Sequence, residues 1–404
     1  MTSNSMTVTD PAHFDNPFPV YKTLREQAPV YFEPTMGFHI VTGYQNVKKL
    51  LTHSGVSSNR QAMLQELEGK LKPGSIETYM ENAKVSMIQL DPPEHTRLRA
   101  LASSFFHKGT VQEWVPVMEA NFHRLIKNEK QKGRLNLGNV ARHYPADVIC
   151  DIFGMPHYCR ESYIKNAGKV AKLFGAPIDN ELQTVASEAN QASIDNARLI
   201  AGFIEERVDK PCNDLLGHMA KSYGDGELTM RETTTLCGLL LTAGHITTTE
   251  LLCNGVYQLL SHPEQWVWLQ KNPERVPDAI EEIMRFDTSV PFTIRVIKEK
   301  ISLDGGDLEP GDVVAVGLSA ANHDPEFCER PDEFDITRGR TRHLAFAAGP
   351  HVCLGALMAR EELRVALDHL LKSCPDLRFD PDNLPQRRCD SLMFRGFKTF
   401  HLQY

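Results

Sequence analysis

Ten residues near the C-terminus, Phe346-Ala347-Ala348-Gly349-Pro350-His351-Val352-Cys353-Leu354-Gly355, constrain this chain more than any other stretch. A loop with two glycines delivers a cysteine. A helical pattern starts at once after it and runs from about Leu354 to Ser373. The first N–H groups of a helix lack intrahelical partners, and the helix dipole adds partial positive charge there. A thiol at that point is pushed toward thiolate, the form that binds metal, and nearby donors tune how much charge the sulfur gives away. Gly349 and Gly355 let backbone come close to the sulfur and to a flat group beside it. Phe346 is placed to shield the sulfur from water. The ordinary alternative is a buried cysteine that happens to precede a helix.

The other eight cysteines, Cys150, Cys159, Cys212, Cys237, Cys253, Cys328, Cys374 and Cys389, form no CxxC pair, and the total is odd. That argues against a disulfide framework or a zinc site. The chain has 404 residues with 41% apolar and 24% charged side chains, the balance of a globular protein with room for a large core. A net charge of −8 disfavours nucleic acid and anionic membranes as partners. The N-terminal residues are polar, with no basic segment leading into an apolar one, so no secretory signal is expected. The longest apolar run, Leu236 to Ala243, is far short of a membrane span. A cytoplasmic protein without a membrane anchor is the expectation.

Turn signals and periodicity predict many helices and a few small sheets. A short helix is expected at 20–24, and strands at 30–32 and 38–41 around a Pro34–Gly37 turn. Asp91 is a good N-cap for a helix opening with Pro92 and Pro93. Helical patterns follow at 110–131, 140–153, 183–208 and about 228–260, then from Asn272 to about Phe286. Strands are expected at 301–303 and 313–316, with a C-terminal strand pair at 393–396 and 399–402. Residues 320–345 lack periodicity, which predicts either a functional segment or a packed coil.

The decapeptide resembles the haem-ligand loop of the cytochrome P450 family, FxxGxHxCxG, at Phe346, Gly349, His351, Cys353 and Gly355. Glu282-Ile283-Met284-Arg285 resembles the family's ExxR motif. Those two side chains share a helix face, and the family uses them as a buried brace. Pro331-Asp332-Glu333-Phe334 resembles the segment that joins this brace. Asp91 to Arg99 resembles the stretch in which His95 and Arg99, four residues apart, reach the haem propionates. Ala243-Gly244-His245-Ile246-Thr247-Thr248 resembles AGx[DE]TT, where the helix crosses the oxygen-binding face and often opens locally. The departure is Ile246, where the family usually has an acid.

The resemblance implies the mainly α cytochrome P450 fold, a triangular helical domain with a β-rich edge. Residues 1–404 would be one catalytic domain, with about 1–15 a flexible tail. It implies haem b, with Cys353 as the iron ligand. His95, Arg99, Ala243, Arg295, Phe346, His351 and Gly355 would contact the haem, His343 being a weaker candidate. Arg97 is expected to face solvent. Thr247 would be the catalytic hydroxyl, with Glu250 and His245 poor substitutes for the missing acid. The reaction implied is insertion of one atom of O2 into a largely apolar small molecule. Electrons would come from a separate ferredoxin and its NAD(P)H-dependent reductase. A basic patch at Arg338, Arg340 and Arg342 is expected to steer that ferredoxin. Peroxide-driven oxidation, or haem binding without turnover as a sensor or carrier, are the alternatives. The substrate walls are expected from about 55–87, 155–190, the long helix, Val290–Thr293 and Met393–Phe394.

Overall fold

The apolar pattern ending near residue 260 folds as an unbroken 32-residue α-helix, Met230–Ser261. These features come from a computed structural model that describes residues 8, 10, 13–130, 133–175, 181–210 and 212–404. The expected tail at 1–15 falls mostly outside that set. Thr229 starts the long helix: its hydroxyl accepts the Glu232 N–H at 3.2 Å, while the Glu232 carboxylate accepts the Thr229 N–H at 2.8 Å. This reciprocal pair satisfies two otherwise unpaired donors. The helix packs against helices Leu137–Phe153, Leu182–Asp209, Val276–Phe286 and Ala356–Ser373. By length and composition it could cross a membrane, yet more than half of its most apolar stretch is buried. A helix apolar nearly all round is what the centre of a helical core requires.

The molecule is mostly helical with small sheets, as expected. The largest sheet has five strands in the order Val30–Glu33, Phe38–Val41, Val313–Gly317, Phe292–Ile297, Val56–Ser57. The first two form the expected hairpin, with Val30 opposite Val41. Phe38–Val41 then pairs in parallel with Val313–Gly317. Arg295 lies in the fourth strand, opposite Val314.

The strands expected at 301–303 and 313–316 form, Ile301–Leu303 pairing with Gly306–Leu308 in a separate hairpin and Val313–Gly317 joining the large sheet. Other expectations are corrected. The C-terminal pair does not form between its own halves. Phe397–Thr399 pairs with Gln386–Arg387, and His401–Gln403 lies between Leu135–Asn136 and Arg378–Phe379. Asp91 does not cap the next helix, Glu94–Ser103. Its carboxylate instead accepts from the Ser57 hydroxyl at 2.6 Å and the Ser58 N–H at 2.9 Å, tying the edge strand to the helix start. Beyond the short helix Leu318–Asn322, residues 323–345 are a packed coil that buries Cys328, Phe334, Ile336 and Leu344.

Candidate functional site

The cysteine loop is built by backbone contacts. Cys353 N–H donates to the Phe346 carbonyl at 2.9 Å. Gly349 has φ +73°, and a Cβ there would lie 2.2 Å from the Leu51 carbonyl oxygen. Only glycine fits. The helix after the loop is Ala356–Ser373, two residues later than expected, with Gly355 at its N-cap position. Six of the nine cysteines are buried, and Cys353, Cys212 and Cys389 are exposed. What Cys353 is exposed to is an internal cavity that it lines. Burial pushes its thiol up, against the opposing effects of the Gly355 N–H, Arg99 and Arg360. The loop therefore supplies donors, while burial opposes ionisation of this deep sulfur.

Helix Val276–Phe286 braces the loop. The Arg285 guanidinium donates to both oxygens of Glu282, at 2.7 and 2.8 Å, and both side chains are fully buried. Arg285 also donates to the carbonyls of Asn322, Pro331 and Glu333 at 2.8 to 3.0 Å, and Glu282 accepts the Asp335 N–H. Every guanidinium proton and both carboxylate oxygens in the pair thus have a partner, the condition under which such a pair is tolerated. A second clamp lies beside it. Glu281 binds Arg360 at 2.6 and 3.0 Å and His343 at 3.1 Å. Burial pushes the Glu281 carboxyl up, but Arg360 and His343 outweigh it and hold it at about 2. His343 is therefore committed to this clamp and does not line the cavity, which corrects its candidacy as a haem contact. Sequence reasoning missed Glu281 and Arg360; the only signal was an acid adjacent to Glu282 and an arginine two turns after Cys353.

Two adjoining cavities of about 280 Å³ each meet at Ile88, Leu239, Ala243, Thr247, Val290 and Thr293. The first also contains Cys353, Phe346, Gly355, His95, Arg99, Arg295 and His351, so the remaining predicted site residues come together. Phe346 lies under the Arg360 guanidinium, 4.6 Å from its ring centre. The rings of His95 and His351 lie 4.1 Å apart. Among the described residues, His95 Nδ1 and His351 Nε2 are buried with no hydrogen-bond partner. Burial, with His95 and Arg295 nearby, pulls His351 down to about 3. Arg295 is drawn down to about 10 by burial and a neighbouring arginine. Arg99 donates to the Val352 carbonyl at 2.8 Å. Arg97 pairs instead with Glu94 and Glu232 at the surface, as expected.

On the long helix, Ala243 is exposed and lines both cavities, and the Thr247 hydroxyl donates to its carbonyl at 3.0 Å. The helix does not open there. Gly244 is packed tightly, because a Cβ would meet Ile149 at 3.1 Å. Ile246 faces the second cavity. His245 is buried away from both cavities and held at about 4 by desolvation. Glu250 is bound by Arg388 at 2.6 Å and by the Phe397 N–H, so it is not available to Thr247. Among the described residues, the single carboxyl lining either cavity is Glu362, whose two oxygens have no partner. Burial pushes its pKa well above the usual carboxylate range. The second cavity is lined from residues 79–89, 163–174, 193–200, 234–247, 290–293 and 393–394. Ile88, Gln89 and the 193–200 wall lie outside the expected set.

The family model for cytochrome P450 matches residues 30–392. The chain is a cytochrome P450. The biotin biosynthesis cytochrome P450 of Bacillus subtilis (strain 168) is 32% identical to it over 372 residues, 90% of each chain. The 6-deoxyerythronolide B hydroxylase of Saccharopolyspora erythraea is 31% identical over 405 residues, 98% of each. A crystal structure of P450BioI in complex with hexadec-9Z-enoic acid ligated acyl carrier protein superposes with a TM-score of 0.88 at 29% identity. That match covers 98% of this chain and all of the other. Cytochromes P450 are haem monooxygenases that act on organic substrates with O2 and redox partners, and this P450 is an oxidoreductase of that class. Its first cavity fits such a group. Haem needs apolar walls and partners for two carboxylates. The cavity has Leu239, Leu240, Leu251 and Met358 as walls, and orphaned imidazole nitrogens beside two arginines.

Arg338, expected in a ferredoxin-steering patch, is largely buried. It donates to the Arg330 and Glu333 carbonyls and approaches Glu282 at 3.5 Å. It belongs to the brace, and Arg340 lies 3.5 Å from Asp278.

Proposed function

We propose that this P450 inserts one oxygen atom from O2 into a largely apolar small molecule bound in the second cavity, using haem b held by the Cys353 thiolate. Electrons come from a separate ferredoxin and its NAD(P)H-dependent reductase. Haem supplies the oxygen-activating redox chemistry. The chain's own residues do the rest. His95, Arg99, Arg295 and His351 hold the propionates, and the imidazoles take the protons and hydrogen bonds that burial alone denies them. Gly355 and Phe346 would fit the ring, and the small Ala243 would leave room in the cavity beside it. Thr247 holds a proton at Oγ1 and can pass it on, since its oxygen donates once and accepts twice. The observation that carries this reading is the convergence of one accessible cysteine and four cationic or imidazole groups on a cavity that opens into an apolar one.

One observation favours a second reading. Thr247 has Ile246 beside it, and Glu250 is occupied by Arg388. Hydrogen peroxide brings its own protons and electrons, so peroxide-supported oxidation would tolerate this arrangement. The test is turnover of one substrate, found by a spectral screen of apolar compounds, with NAD(P)H plus redox partners against peroxide. Faster turnover with the redox partners supports the first reading. Turnover with peroxide alone supports the second.

A further inference from the structure

Arg60 is 8% exposed, and among the described residues it makes no ion pair and no side-chain hydrogen bond. Its guanidinium lies over the Phe174 ring, 5.0 Å from the centre. A buried guanidinium without a carboxylate is costly, and a single aromatic face offsets little of that cost. The charge neighbour that partly counters its desolvation is Tyr79, and Arg60 does the same for Tyr79. The Tyr79 hydroxyl also has no hydrogen bond among the described residues, its backbone N–H being the group that binds Asn190. Tyr79 and Phe174 both line the second cavity, in the part not shared with Cys353. No charged side chain lines that cavity itself.

We propose that Arg60, stacked on Phe174, and Tyr79 form a carboxylate-binding subsite beside the part of the apolar cavity not shared with Cys353, so that the substrate is an apolar acid. The inference deepens the proposed function and rests on it. The chemistry is specific. Guanidinium presents parallel N–H donors that match the two oxygens of a carboxylate, and the phenol supplies a further donor. An apolar wall with a few convergent polar groups is how small-molecule sites fix orientation. A ligand carboxylate entering here would give the buried cation the partner it lacks. The body of the acid would then extend toward Ala243 and Thr247.

The test compares decanoic acid with its neutral methyl ester on haem-loaded protein, by calorimetry and by the absorbance shift on binding. The acid should bind at least tenfold more tightly. Arg60→Gln should erase that preference while leaving ester affinity within about twofold, Arg60→Lys should retain part of it, and Tyr79→Phe should weaken acid binding several-fold. Equal binding of acid and ester by the unmodified protein would overturn the proposal. So would an acid preference that survives Arg60→Gln. Loss of haem from Arg60→Gln would also overturn it, assigning Arg60 to the haem carboxylates instead. The carbon monoxide spectrum of the same preparation separates the two levels. If that spectrum is normal while the acid preference is absent, the subsite fails and the proposed function stands.

Discussion

His95 and His351 come from a helix and a loop far apart in sequence, yet their rings lie 4.1 Å apart, each with a buried nitrogen that nothing among the described residues satisfies. Two imidazoles so placed repel if both are charged, unless an anion lies between or beside them. Replacing either by Phe keeps the ring and removes the donor. A hydrogen bond to a charged group contributes about 1.5–3 kcal/mol, so haem affinity should fall by roughly tenfold or more in each variant. Transfer of haem to an apoprotein acceptor measures this. Unchanged retention in both variants would remove the pair from the haem site.

Glu282→Ala leaves the Arg285 charge buried among carbonyl oxygens alone. Breaking a buried pair in this way costs roughly 3–5 kcal/mol. Low haem incorporation and a lowered melting temperature are expected. A variant with full haem content and the wild-type melting temperature would contradict the role of this brace.

The second clamp makes a pH prediction. Glu281 is held at about 2 against an ordinary value of 4.5. The folded state therefore binds fewer protons than the unfolded state between those values, and stability rises with pH there. The contribution is fully present above about pH 4.5 and is lost as pH falls toward about 2. Glu281→Gln should be less stable than wild type at pH 6 by up to about 3 kcal/mol. The gap should close on acidification, as read from melting temperatures at pH 6, 4.5 and 3. A gap that is constant across that range would show that Glu281 does not act through its charge.

Ile246 leaves Thr247 without a neighbouring carboxyl, and Glu250 is tied to Arg388. Proton delivery should be slow, so NAD(P)H consumption should be poorly coupled to product, with hydrogen peroxide released. Ile246→Glu should raise the ratio of product to NAD(P)H consumed, unless desolvation keeps the new carboxyl neutral. Thr247→Ala should lower it further. Tight coupling in wild type, with no change in Thr247→Ala, would show that this helix does not relay protons.

The sequence made the brace, the cysteine loop and the long helix legible because their partners lie at helical spacing or within one loop. Glu282 and Arg285 share a face by geometry alone. What could not be read was set by distant contacts. Asp91 looks like an N-cap, but Ser57 and Ser58 claim its carboxylate. The C-terminal strands pair with segments as distant as Leu135–Asn136. Helix His157–Phe174 carries a weak local signal, and the helix through 193–200 is legible as a helix but not as a cavity wall, because which face meets a cavity is defined by what packs around it. His343 has a plausible spacing to Cys353, yet Glu281 takes it. Arg60 has no motif at all, and only its burial without a partner singles it out.

The central claim is that Cys353 supplies the iron-binding thiolate. Anaerobic reduction under carbon monoxide tests it directly, through the red-shifted Soret band that thiolate ligation produces. Cys353→Ser should bind haem, if at all, without that band, whereas Cys150→Ser, Cys159→Ser and Cys374→Ser should keep it. Retention of the band in Cys353→Ser would contradict the account.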